Sequence, residues 1–160
     1  MNEQETGLDL PWRRATLMNH AGMLAQSFRR VVGRELIPIT DEIETARLLY
    51  TAPFVVLSHG VEADPILNYG NAQALALWEM SFEEFTRMPS RVTAEPVLRE
   101  ERERLLAIAV RKGFIDDYSG VRISSRGRRF RIEKAIIWNV TDEQGVPRGQ
   151  AATFTNWADA

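Results

Sequence analysis

Hydrophobic and polar positions divide the chain into two styles near residue 52. Before it, apolar residues recur at helical spacing. Leu17, Ala21, Leu24, Phe28 and Val31 fall at gaps of 4, 3, 4 and 3, a heptad seam widened by Met18, Ala25 and Val32. With Asp9 as N-cap, Pro11 in the first turn and Gly33 as stop, the pattern predicts a helix over about residues 10–33. The seam has two readings. Either it packs on its own domain as an amphipathic face, or Leu17, Ala21, Leu24, Phe28 and Val31 form the interface of a homodimer. Arg14 in the seam and a run of only about two heptads weigh toward the first reading. A second helix fits residues 40–50, capped by Thr40, weighted by Ile43, Ala46, Leu48 and Leu49, and ended by Pro53.

After Pro53 the spacing changes. Residues 54–57 and 66–69 are short β-rich runs joined by Ser58-His59-Gly60 and the turn pair Asp64-Pro65, so they can pair as a hairpin. Residues 72–78 are good helix formers, and Ser81 with Glu84 makes a capping box for a short helix at 82–87. Pro96 precedes a helix over 97–112, whose apolar face carries Leu98, Leu105, Ile108 and Ala109 and which Gly113 closes. Three strands follow, at 114–124, 129–140 and 148–157, with turns at Arg126-Gly127 and Asp142-Glu143-Gln144-Gly145. Phe130 and Ile132 fall on one face, Arg129 and Arg131 on the other. Ala135-Ile136-Ile137-Trp138 is apolar on both faces, so the sheet centre is covered twice. Strand, strand, helices, then three strands implies an α+β domain built on one antiparallel sheet, with the N-terminal helices as the natural cover for its outer face.

Composition narrows the chemistry. The chain has 160 residues, 44% apolar and 26% charged, which suits one globular domain. It contains no Cys, which removes disulfides, Cys-ligated metal, a thiol nucleophile and a cysteinyl–flavin adduct. A net charge of −2 gives no general pull toward nucleic acid. The N-terminus lacks a basic-then-apolar leader and no window approaches a membrane span, so a cytoplasmic protein off the membrane is expected. No phosphate-binding, nucleophile-elbow or zinc-protease motif occurs.

The element order resembles a PAS domain. Ile66-Leu67-Asn68-Tyr69-Gly70-Asn71 resembles the second PAS strand running into a helix-opening Asn, and Ser81-Phe82-Glu83-Glu84-Phe85 resembles the segment that follows. More closely, residues 53–157 resemble the MEKHLA domain, a PAS-like family found as small bacterial proteins and at the C-terminus of plant class III homeodomain–leucine zipper proteins. The resemblance is carried by Pro53-Phe54-Val55-Val56-Leu57-Ser58-His59-Gly60, Asp64-Pro65-Ile66-Leu67-Asn68-Tyr69-Gly70-Asn71, Leu77-Trp78-Glu79, Gly113-Phe114-Ile115-Asp116-Asp117-Tyr118-Ser119-Gly120 and Gly149-Gln150-Ala151-Ala152-Thr153-Phe154. It implies a five-stranded antiparallel sheet with helices on one face, an N-terminal helical extension at 1–52 and the PAS-like domain at 53–160. It further implies a non-enzymatic sensory or interaction module with a ligand pocket; a homodimer through the N-terminal helix is expected, and the 160 residues hold no kinase, DNA-binding or cyclase effector, so output is expected through a partner protein in trans.

The candidate ligand residues are Asn71, Trp78, Tyr118, Trp138 and Gln150. Each has a plainer reading: Asn71 as a helix cap, the aromatics as core. The cofactor is undetermined. A covalent flavin switch requires the absent Cys, and haem is disfavoured because the helix at 97–112 has no His; non-covalent flavin or a small apolar metabolite stays open. Two alternatives stand beside the sensor: a small NTF2-like enzyme using His59 with Asp116 or Asp117, and a purely structural dimerisation domain. Arg122, Arg126, Arg128, Arg129 and Arg131 form one basic cluster. It reads as a solvated, edge-protecting hairpin, and the lack of interleaved aromatics argues against nucleic acid.

Overall fold

A computed structural model describes the backbone of residues 11–93 and 96–160. After a 3-10 turn at Pro11–Arg13 come α1 (Ala15–Val32) and α2 (Glu42–Tyr50). Strands β1 (Val55–His59) and β2 (Leu67–Gly70) lead to α3 (Ala72–Trp78), α4 (Phe82–Phe85), a 3-10 turn at Ser90–Thr93 and α5 (Pro96–Lys112). The chain ends with β3 (Phe114–Ile123), β4 (Arg129–Thr141), β5 (Pro147–Phe154) and β6 (Asn156–Asp159). The expected cap at Asp9 and the side chains of Leu98 and Ala109 lie outside the described residues.

Local signals placed most boundaries. Gly33 ends α1 with φ 90° and its N–H on the Arg29 carbonyl, a left-handed stop that glycine adopts at least cost. Ser81 and Glu84 close a capping box, and Asn71 caps α3 through the Ala74 N–H. The cap of α2 is Asp41, not Thr40. The Asp41 carboxylate accepts the Glu44 N–H at 2.8 Å, while the Thr40 N–H turns to Thr45 Oγ1 at 2.9 Å.

All strand pairs are antiparallel, in the order β2-β1-β5-β4-β3, with β6 beside the lower half of β4. The sheet is PAS-like and the class α+β, as expected. It carries helices on both faces, which α1 and α2 explain. Trp138, Val140, Val56, Tyr69 and Ala151 point to an outer core shared with α1 and α2. Val55, Leu67, Phe130, Ile132, Ala135, Ile137 and Phe154 point to an inner core shared with α3 and α4. Residues 11–52 therefore share the outer core with the sheet.

A crease crosses three strands. Residues three apart on a regular strand point to opposite faces. Here Ile115 and Tyr118, Ile132 and Ala135, and Phe154 and Trp157 each belong to the inner core. Each strand absorbs one extra residue: β3 around Asp117 (φ 60°), β4 around Lys134 (φ 54°), and the last strand at Thr155, where it breaks into β5 and β6. The continuous strand expected over 148–157 is thus two strands.

Candidate functional site

The inner face of the sheet encloses a cavity of about 50 Å³, bounded by β1, β2, α3, the Ser90–Thr93 turn and β3 to β5. About 10–15 Å³ by this measure accommodates one water. The cavity therefore takes roughly four waters or a ligand of similar bulk. Leu57, Leu67, Ile132, Ile137 and Phe154 give it apolar walls. Beside the cavity the inner face is packed with aromatic rings. The Trp78 ring meets Phe130 at 5.1 Å, Phe85 at 6.0 Å and Phe154 at 6.3 Å, all edge to face.

The polar groups of the cavity come from β1, β3, β5 and the Ser90–Thr93 turn. Gln150 on β5 points its Nε2 at Asn139 Oδ1, 2.9 Å away. His59 at the end of β1 places Nδ1 3.0 Å from the Gly60 carbonyl. Tyr118 and Arg122 lie on β3, the Arg122 Nη2 donating to Tyr118 Oη at 3.1 Å and Nη1 to the Val121 carbonyl at 3.3 Å. The guanidinium also lies over the Tyr118 ring, 5.3 Å from its centre. Gly120 makes this arrangement feasible, because a Cβ there would stand 2.7 Å from Tyr118 Oη.

Three of the five expected ligand residues, Trp78, Tyr118 and Gln150, line the cavity. Trp138 does not. The crease keeps Ile137 on the inner face, so the next residue faces outward, where Trp138 Nε1 donates to Ser27 Oγ of α1 at 3.1 Å and its ring stands 4.8 Å from Phe28. Asn71 is also elsewhere. Fully buried, it joins three elements: Oδ1 accepts the Val56 and Ala74 N–H groups at 3.1 Å, and Nδ2 donates to Phe54 O at 2.8 Å and Leu49 O at 3.2 Å.

Arg122 is the cavity residue that sequence reasoning missed. It was grouped with the basic hairpin, yet it is 7% exposed, while Arg129 and Arg131 are exposed and Arg128 pairs with Asp159 at 2.9 Å. The signal was present: Arg122 shares strand parity with Tyr118 and Gly120.

The enzyme alternative loses its geometry. His59 is on β1 and Asp116 and Asp117, both exposed, are on β3, with β5 and β4 between them. At about 4.8 Å per strand this is roughly 14 Å, well beyond a hydrogen bond. No group of three or more metal-ligating side chains occurs among the described residues.

The seam of α1 is occupied within the chain. Leu17, Ala21, Leu24 and Phe28 are buried in the outer core, and Val31 is half-buried against it. A homodimer through these residues would have to strip α1 from the sheet. Heptad spacing serves a helix on its own sheet as well as a helix on its twin, which is why the two readings coincide in sequence. His20 adds a polar clasp on this face. Its Nε2 donates to Ser58 Oγ at 2.9 Å, which donates on to Asn68 Oδ1 at 2.5 Å. Burial pulls the His20 pKa down to about 4, partly offset by the Asn68 side chain.

Flavin and haem, the cofactors that PAS-like domains bring to mind, do not fit these residues. The cavity holds about 50 Å³ and the surrounding space is filled by Trp78, Phe130, Phe154 and Phe85, while Cys is absent from the whole chain. No helix among the described residues is long and apolar enough to cross a membrane.

Comparison with known proteins agrees with this fold. A PAS domain of a protein from Colwellia psychrerythraea superposes with a TM-score of 0.62 at 14% identity, over 73% of this chain and 94% of that one. The light-state dimer of the fungal blue-light photoreceptor Vivid gives 0.58 at 15% identity, over 92% and 97%. A PAS domain from a two-component sensor histidine kinase gives 0.55 at 16% identity, over 71% and 91%. At such identities the likeness is one of fold. Among curated proteins nothing matches. The MEKHLA domain model matches residues 18–159, and so takes in α1 and α2 as well as the sheet. With that match spanning most of a PAS-like fold, the chain belongs to the MEKHLA domain family.

Proposed function

We propose that this protein is a non-catalytic sensory module whose inner-face cavity takes a small ligand and whose outer-face helices carry the response to a partner protein. The observation that supports this most is the two-sided sheet. Ile137 and Ala152 line the cavity, Trp138, next to Ile137, lies in the outer core and is bonded to α1, and Ala151 both lines the cavity and packs into the outer core. A ligand that shifts β4 or β5 bears on α1 through these neighbours. PAS-like folds in sensor and photoreceptor proteins lend the reading its class.

The test is a pair of measurements on the full chain. Native mass spectrometry and amide exchange, with and without small-molecule mixtures, should show a bound species together with altered protection in α1. Binding that leaves α1 protection unchanged would refute the coupling. A cavity closed to every small molecule would refute the sensor reading and leave a structural module.

A further inference from the structure

We propose that the inner cavity is a site for a short monocarboxylate, held by the Arg122 guanidinium and the Trp78 indole N–H. This rests on the cavity being a ligand site at all. Three observations carry it.

First, Arg122 is nine-tenths buried, and among the described residues no carboxylate lies within ion-pairing distance of it. Guanidinium has five N–H donors, and among the described residues it makes two hydrogen bonds, to Tyr118 Oη and the Val121 carbonyl. A charge removed from water without a counter-charge is among the costliest arrangements in a protein interior. Glu79, at the end of α3, spends its carboxylate on Ser124 Oγ at 2.7 Å. Second, Trp78 Nε1 is buried with no acceptor among the described residues, and the residue lines the same cavity. Two residues with uncommitted donors in the lining of one small cavity call for an acceptor-only, anionic group, and a carboxylate matches the fork of an arginine. Third, Leu57, Leu67, Ile132, Ile137 and Phe154 give the cavity an apolar side, and its other polar lining groups, such as Ser58, Thr93 and Gln150, carry no charge. They suit a short hydrocarbon body rather than a second charge. The volume limits that body to about two to five carbons.

The experiment is a titration of the full chain with sodium propionate, matched against propionamide and sodium chloride, read by the Trp78 indole N–H resonance and by thermal unfolding. Assignment comes from Trp78→Phe. The expected result is saturable movement of the indole signal and a rise in unfolding temperature with propionate alone. Arg122→Gln should weaken propionate at least tenfold while leaving the ligand-free protein as stable as before or more so, since it deletes an uncompensated charge. Arg122→Lys, which keeps charge but not the fork, should fall between the two. Propionamide binding as well as propionate, or unchanged affinity in Arg122→Gln, would overturn the anion site and leave the ligand cavity standing. Acetate, propionate and butyrate all without effect at millimolar concentration would overturn it too, and silence from propionamide and butanol besides would remove the ligand reading with it. A response to chloride equal to that of propionate would mark an unspecific halide site and overturn the proposal.

Discussion

Asn71→Ala should be among the most damaging substitutions of a small polar residue in this protein. The loss can be worked bond by bond. The Ala74 N–H loses its cap, worth about 1 kcal/mol. The Val56 N–H and the Phe54 carbonyl lose a partner each, at about 1–3 kcal/mol for a buried polar group left unsatisfied. The Leu49 carbonyl loses little, because the Ala52 N–H still reaches it at 3.4 Å. The total is about 3–7 kcal/mol, or, at 2–4 °C per kcal/mol for a chain of this size, a fall in Tm on the order of 10 °C. Urea unfolding followed by tryptophan emission should show a lower midpoint with an unchanged slope. Asn71→Ser should recover about 1 kcal/mol, since a hydroxyl can cap Ala74 but cannot span the four partners. Asn71→Asp keeps the cap but sets a buried carboxylate against the Phe54 and Leu49 carbonyls, so it should do no better than alanine. An alanine variant within about 1 kcal/mol of the parent, or a neutral Asn71→Asp, would show that only the cap matters and refute the reasoning.

Three further outcomes are expected. His20 has a native pKa near 4 against an unfolded value near 6.5, so its neutral form favours folding; that stability is full above pH 6.5 and falls away by about 3 kcal/mol as pH drops to 4, with His20→Gln flattening the profile of midpoint against pH in that window. Tyr69→Phe removes a buried hydroxyl with no partner among the described residues and should raise stability by about 1 kcal/mol; a loss of that size would mean the hydroxyl is bonded after all. Phe28→Ala should cost about 3–5 kcal/mol without changing the mass seen by light scattering, because its ring is fully buried against Trp138; intact stability with a lost dimer would return the seam to an interface.

Much of the fold was legible because single residues punctuate it. Gly33, Asn71 and the Ser81–Glu84 pair mark helix ends by local chemistry that tertiary contacts did not override. The double cover of the sheet was readable from the run of four apolar residues at 135–138. Which face each residue takes was not. The expectation that Trp138 joins Trp78 and Tyr118 fails at the crease, since one extra residue around Lys134 decides the parity of everything after it. The cavity's charge was hidden by its neighbours. Four other arginines nearby made Arg122 look like part of a solvated hairpin, although its alternation with Gly120 and Tyr118 placed it inside.

The crease makes three strand lengths interdependent, much as compensating insertions do in a reading frame. Each strand carries one surplus residue at Asp117, Lys134 or Thr155, and neighbouring strands stay in step because all three do. Deleting Lys134 alone would leave the faces of β4 intact yet set it one residue out of step with β3 and with the β5–β6 strand. Deleting Asp117 as well would heal the first seam and not the second. Only loss of all three restores a straight ladder, and that ladder would be flatter, without the bend that wraps the sheet around its cavity. Length variation in this region is thus confined to matched sets, while the turns at Gly127 and Gly145 stay free to change.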